Sequence, residues 1–157
     1  MRNARAAQIE IQIATARRGV PHARMLRAWA TSALPSAQYS VCIRIVGSAE
    51  SRKLNRHWRS KDKPTNVLSF SYSELLAGRQ SPVASSPLLG DLAICAPVVA
   101  REAREQGKTL SAHWAHMVVH GVLHLQGYDH VTTRDARRME AHEVAILSRF
   151  GFVDPYR

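Results

Sequence analysis

His113, His116, His120 and His124 recur at spacings of three and four residues, and His130 follows a short Gly127-Tyr-Asp interval. In a helix, residues four apart stand one turn up and about 40° round, so His120 and His124 share a face and can offer two imidazole nitrogens to one ion. His130 cannot join them while the helix continues. Gly127 resolves this, because a glycine at a helix end adopts the left-handed conformation that turns the chain, and three further residues reach up to about 10 Å. The complete pattern HxxxHxxGxxH therefore reads as a site for one divalent metal ion held by His120, His124 and His130, whereas any one of these histidines taken alone would read as ordinary packing. Three neutral imidazoles leave a fourth position for water, as catalytic zinc sites do. Zinc is the default for an all-nitrogen set, although imidazoles also suit nickel, copper and iron.

The metzincin protease signature has the same spacing, but there a Glu follows the first His and serves as general base. This chain has Gly121 at that position. The pattern thus argues for a metallohydrolase and against a peptidase. An ion that lowers the pKa of water to about 7 can still supply a nucleophile at neutral pH. His113 and His116 stand near the same face, where they could relay a proton or touch phosphate; polar packing of a partly buried helix is the plainer reading. Asp129 could orient a ligand imidazole from behind or simply stabilise the turn.

A phosphodiester suits the charge. Lys and Arg number 22 against 12 Asp and Glu, for a formal charge of +10. Such an excess captures polyanions, of which nucleic acid is the foremost. It is also concentrated: Arg52 to Lys63 holds six Lys or Arg and one acid, Asp62. That segment reads as a binding patch, or else as a solvated helix face running into a basic loop.

The elements that must carry these residues follow from periodicity. Ile9, Ile11 and Ile13 alternate with polar residues as in a half-buried strand, and Tyr39, Val41, Ile43 and Ile45 do so again. Between them Pro21 opens a helix to Ala33. Ser48 is placed to cap a helix that carries Glu50 in its first turn and Leu54 and Trp58 on one face. Lys61 to Asn66 is turn chemistry around Pro64. Val67 to Phe70 and Leu88 to Ile94 read as strands, and the Ser- and Pro-rich interval Ser71 to Pro87 as a mobile loop. Helices follow from Pro97 to about Gln106, from Leu110 to Gln126 and from Thr133 to Phe150. The expectation is an α+β fold, one domain over 1–157, with a small mixed sheet of about four strands packed with about five helices.

At 157 residues, one domain buries roughly 70% of the surface its unfolded chain exposes. Cys42 and Cys95 lie far apart without a CxxC pattern, as in a reducing compartment. Met1 to Val20 contains no apolar core of a signal peptide, and no apolar run reaches about 18 residues. A soluble, cytoplasmic protein without a membrane partner is expected.

Three motifs now stand in one order: Arg59-Ser-Lys-Asp-Lys-Pro-Thr-Asn-Val-Leu-Ser-Phe70, Leu89-Gly-Asp-Leu-Ala-Ile94 and His120-Gly-Val-Leu-His124-Leu-Gln-Gly127-Tyr-Asp-His130. Together with Gly151-Phe-Val-Asp-Pro-Tyr156 they resemble the YbeY family of bacterial rRNA maturation factors, from about Val41 to Tyr156. The resemblance implies a single-strand-specific endoribonuclease that matures the 3′ end of small-subunit rRNA and acts in ribosome quality control, with rRNA and the ribosome or its small subunit as partners. It carries the three metal ligands onto His120, His124 and His130, and a functional arginine onto Arg59. A planar guanidinium suits that role, because it holds a phosphate through two hydrogen bonds and opposes charge developing on it. The family commonly has a proline where this chain has Ser71, which bears on the shape of the following loop. No carboxylate is assigned as base; Asp62, Asp91, Asp129, His113 and His116 are the candidates, or the RNA 2′-OH attacks instead. The competing reading is a ribosome-assembly factor that binds rRNA or ribosomal proteins around a mainly structural metal.

Overall fold

Apolar residues at every second position give strands whose one face must be covered. The structure is a computed structural model and describes residues 7–72 and 88–157. Strands β1 (Gln8–Ala14), β2 (Ser40–Val46), β3 (Val67–Ser71) and β4 (Leu88–Cys95) form one mixed sheet in the order β1-β2-β4-β3. β1 and β2 run parallel with Ile9 beside Val41, β2 and β4 run parallel with Ile43 beside Leu92, and β3 closes the sheet as an antiparallel edge with Ser69 beside Leu92. Among the described residues there are five helices: α1 (Ala23–Ala33), α2 (Ser48–Arg59), α3 (Ala96–Glu105), α4 (Leu110–Leu125) and α5 (Thr133–Ser148). The α+β class, the four strands and the five helices match the expectation from sequence. The interval expected to be a loop lies, from residue 73 to 87, outside the described residues.

Helix α4 is the central element. It packs against α1, α3, α5 and the β3–β4 half of the sheet. Trp114, Met117, Val118, Val119, Val122, Leu123 and Leu125 bury its surface nearly all round, the pattern of a core helix rather than a surface one. Thr109 caps its start, accepting from Ala112 N at 3.1 Å. Gly127 turns the chain after its end at φ +91°. Gln126 ties that end to α1 by donating to the Ala33 carbonyl at 2.6 Å.

Two local readings are corrected. Pro21 precedes the cap of α1 rather than opening the helix: His22 is the cap residue, its Nδ1 accepting from Arg24 N at 3.1 Å. Ser48 is the first residue of α2 and caps nothing; extended Gly47 stands at the cap position, where a side chain would press on Thr15. Leu54 and Trp58 stand one turn apart in α2, the first half-buried and the second exposed. The buried residues of α2 are the polar Ser51 and Asn55, while Trp58 overhangs the edge strand, 52% exposed and edge-on to Phe70.

Gly90 shows how closely these elements approach. A Cβ there would run into the Phe70 carbonyl oxygen and stand 2.7 Å from Leu125 Cδ2, so β3, β4 and the end of α4 meet only because position 90 has no side chain. Gly90→Ala should lower unfolding free energy by roughly 1–3 kcal/mol, the usual cost of overpacking. A denaturant titration measures this as a lower midpoint at unchanged slope; an unchanged midpoint would mean that β3 gives way freely.

Candidate functional site

The stripe of histidines on α4 runs through the core, so the buried rings call for partners, which His113 and His116 find through Nε2 but not through Nδ1. His113 Nε2 lies 2.8 Å from Glu102 Oε2 of α3. Glu102 also accepts from Asn66 Nδ2 at 3.0 and 3.2 Å, and Asn66 Oδ1 accepts from Val67 N at 2.6 Å, where β3 begins. Burial pushes the His113 pKa down, against the pull of Glu102.

One turn on, His116 Nε2 lies 2.9 Å from Glu143 Oε2 and 3.2 Å from Tyr156 Oη, while His120 Nδ1 lies 2.6 Å from Glu143 Oε1. The Tyr156 hydroxyl donates to Glu143 Oε2. Glu143 is fully buried. Burial alone would raise its pKa, but the hydrogen bonds from His116, His120 and Tyr156 outweigh it and hold the carboxyl at about 2. Burial and the same carboxylate push the Tyr156 hydroxyl up. An ionised carboxylate only accepts, so His116 Nε2 and His120 Nδ1 both carry protons.

His124 Nδ1 lies 3.0 Å from the Tyr128 carbonyl, which also only accepts. His120 and His124 are thus both protonated on Nδ1 when neutral, with the lone pair on Nε2 at the other edge of the ring. His130 follows the Gly127 turn. The ring centroids of His120, His124 and His130 stand 6.4, 5.7 and 6.3 Å apart pairwise, the first two rings being parallel. All three border one cavity of about 930 Å³.

Part of the lining of that cavity is cationic. Arg59, at the end of α2, shares the cavity with Lys61 and Lys63 and reaches across to the Ser69 carbonyl at 3.4 Å. Ser60 turns the chain there at φ +59°. The buried polar residues of α2 then pin the basic loop: Ser51 Oγ donates to the Thr65 carbonyl and accepts from Thr65 N, both at 3.0 Å, and Asn55 Nδ2 donates to the Lys63 carbonyl at 2.8 Å. Arg52 is spoken for, since both oxygens of Asp62 hold it at 2.8 and 2.9 Å.

The residues expected from sequence therefore meet unevenly. Arg59, His120, His124 and His130 line one cavity. Asp62 is paired with Arg52, and Asp91 alternates with Leu92 to face away from α4; neither lines the cavity. Asp129 does line it, with Oδ1 accepting from His130 N at 2.7 Å in the turn. Sequence reasoning missed Glu143. Its signal, one acid among several in α5, was too common to stand out. A group able to hold a metal is formed by His116, His120 and Glu143, with one ligand atom from each within 4.8 Å, and it shares only His120 with the expected trio.

A small α+β domain with a histidine-walled, cation-rimmed cavity along its sheet edge is the class that fold and site define. Residues 3–151 match the model of the family described as endoribonuclease YbeY. A curated relative, endoribonuclease YbeY of Alkalilimnicola ehrlichii, is 48% identical over 160 residues, which cover 99% of this chain and 94% of the relative. A solution structure from Thermotoga maritima is similar in fold, with a TM-score of 0.55 and 21% identity over 91% of each chain. The chain belongs to the endoribonuclease YbeY family. No helix among the described residues is long and apolar enough to cross a membrane.

The Glu143 carboxylate makes a pH prediction. Its folded pKa of about 2 lies below the usual 4.5, so it contributes stability that is fully present above about 4.5 and is lost as pH falls towards 2. In metal-free protein, the stability advantage of wild type over Glu143→Gln should shrink across that window. Denaturant titrations at a series of pH values would show it, and a constant gap would mean the carboxylate is not held ionised.

Proposed function

We propose that this chain is a metal-dependent endoribonuclease that cleaves single-stranded rRNA, with residues 1–157 acting as one metallohydrolase domain. The observation that carries this reading is that Arg59 shares a single cavity with His120, His124 and His130. The donor chemistry fits a metal, because His120 and His124 turn bare Nε2 atoms away from their partners Glu143 and Tyr128. Their rings would have to rotate to bring three imidazole nitrogens to the roughly 2.0–2.1 Å that zinc–nitrogen bonds require, since the ring centroids stand 5.7–6.4 Å apart. Zinc suits an all-nitrogen set best. Bound there, the ion would supply Lewis-acid polarisation of water or of a phosphoryl oxygen.

The chain's own residues do the rest. Arg59 clamps the scissile phosphate from the cationic part of the lining, and Lys61 and Lys63 draw the flanking phosphates along the cavity. Single-stranded RNA fits an open cavity beside an edge strand, since its backbone bends into a recess that a stiff duplex would bridge. Among the described residues Asp129 is the one carboxylate lining the cavity, which makes it the candidate to take up a proton. The sequence resemblance implies that its work is the maturation of the 3′ end of small-subunit rRNA and ribosome quality control, with the small subunit as partner in the cytoplasm; membership of the endoribonuclease YbeY family supports the RNA-cleaving part of that reading.

The structural-metal reading draws on a specific feature: His116, His120 and Glu143 tie α4 to α5, as a structural site would. Arg59 separates the two. If Arg59 acts on the phosphate, Arg59→Ala should keep fold and metal yet lower kcat by roughly a hundredfold or more, the loss expected for one preorganised charge-stabilising donor. Arg59→Lys should recover only part of the rate, because an ammonium lacks the forked geometry. Cleavage of labelled single-stranded rRNA, with metal content measured alongside, tests this. An Arg59→Ala protein that cleaves at the wild-type rate would leave the metal a structural part.

A further inference from the structure

Behind His120 stands a closed set of groups that the ligand reading alone does not use. Glu143 is fully buried on α5 and receives three hydrogen bonds: His120 Nδ1 on Oε1 at 2.6 Å, His116 Nε2 on Oε2 at 2.9 Å, and the Tyr156 hydroxyl on Oε2. Its two oxygens are thereby divided between one ring that reaches the cavity and two groups that do not line it. His116 Nδ1 is buried without a partner, so that ring meets Glu143 and Tyr156 through Nε2 alone. Tyr156 arrives by a folded-back segment. Gly151 turns the chain at φ +79°, Phe152 packs edge-on to the fully buried Trp29 at 6.1 Å, and Asp154 Oδ1 accepts from Tyr156 N at 2.8 Å.

We propose that Tyr156 and His116 are positioning residues for the cavity, acting through Glu143 to hold His120 with Nδ1 protonated and Nε2 bare. The inference rests on the reading of His120 as a ligand, and it adds that the segment after α5 belongs to the working site. The physical case is one of competition for a carboxylate. With Oε2 occupied by two donors, Glu143 can turn neither towards His116 nor towards Tyr156, so Oε1 is left fixed for His120. The anion then fixes the tautomer of the ring and raises the basicity of its far nitrogen, as carboxylates behind ligating histidines do. Without Tyr156, Oε2 keeps only His116, and the carboxylate gains room to rotate.

Ring-nitrogen NMR on the metal-free protein and zinc affinity by competition with a chromogenic chelator test this together. Wild type should show one His120 tautomer, protonated at Nδ1. Glu143→Gln should mix the tautomers and weaken zinc binding by about 10–100-fold, the usual loss when such a partner is removed. Tyr156→Phe should move both readouts in the same direction by a smaller factor. Because Tyr156 is 47% exposed, its loss leaves the core intact and keeps the test interpretable should Glu143→Gln fail to fold. A Tyr156→Phe protein with the wild-type tautomer and wild-type zinc affinity overturns the proposal. The underlying ligand reading fails separately, by undiminished zinc affinity in His124→Ala.

Discussion

A core helix that carries imidazoles must find acceptors for them, and this constraint organises the molecule. α4 is packed on several sides at once, yet His113, His116, His120 and His124 form a stripe along it. A buried polar group left unpaired costs about 1–3 kcal/mol, so the neighbouring helices have to supply partners. α3 supplies Glu102 and α5 supplies Glu143. Each carboxylate then commits a second element. Glu102 holds Asn66 at the start of β3, and Glu143 holds Tyr156 of the segment after α5. Two interior carboxylates thus set the edge strand and the back of the histidine wall, which together bound the cavity.

The cationic wall rests on a different device. Exposed lysines and arginines have little reason to stay in one place, and surface pairs such as Arg52–Asp62 contribute little to stability. Here the backbone beneath them is fixed instead. Ser51 and Asn55 occupy the inner face of α2, where apolar residues would normally stand, and bind the Thr65 and Lys63 backbone. The loop is therefore fastened from below by buried hydrogen bonds, while Arg59, Lys61 and Lys63 keep their side chains at the cavity. Flexible ends on a fixed base suit a polyanion whose phosphates do not arrive in one geometry.

What the sequence discloses follows how local each piece of physics is. Strands from Ile9 and Val41, the helix from Leu110 and the turn at Gly127 come from periodicity and from one residue's backbone freedom, and they stand where expected. The convergence of His120, His124 and His130 is equally local, because helix pitch and a short turn decide it. Glu143 lies 23 positions from the histidine it serves, in a helix rich in ordinary Glu and Arg, and nothing near it marks it as buried. Ser51 and Asn55 gave no signal either: polar residues in a helix read as surface, while the loop needed hydrogen bonds from that face. Strand order escaped for a related reason, since β4 inserts between β2 and β3 through packing that no short window contains.

Gly121 joins the two levels. At the position where a protease of this spacing carries its Glu, a Cβ would stand 2.9 Å from both methyl groups of Leu92 and 3.3 Å from Val67 Cγ2. The residue faces the sheet, at the contact that seats α4 on β3 and β4. A carboxylate there would point into the apolar core, unpaired, and push the helix off the strands that wall the cavity. Packing thus joins the missing base as an argument against peptidase chemistry. Whatever accepts a proton during turnover must come from the other walls, and among the described acids only Asp129 borders the cavity. On the proposed reading, the same glycine that lets the helix lie flat against the sheet leaves proton transfer to groups off that face, such as Asp129 in the turn that also carries His130.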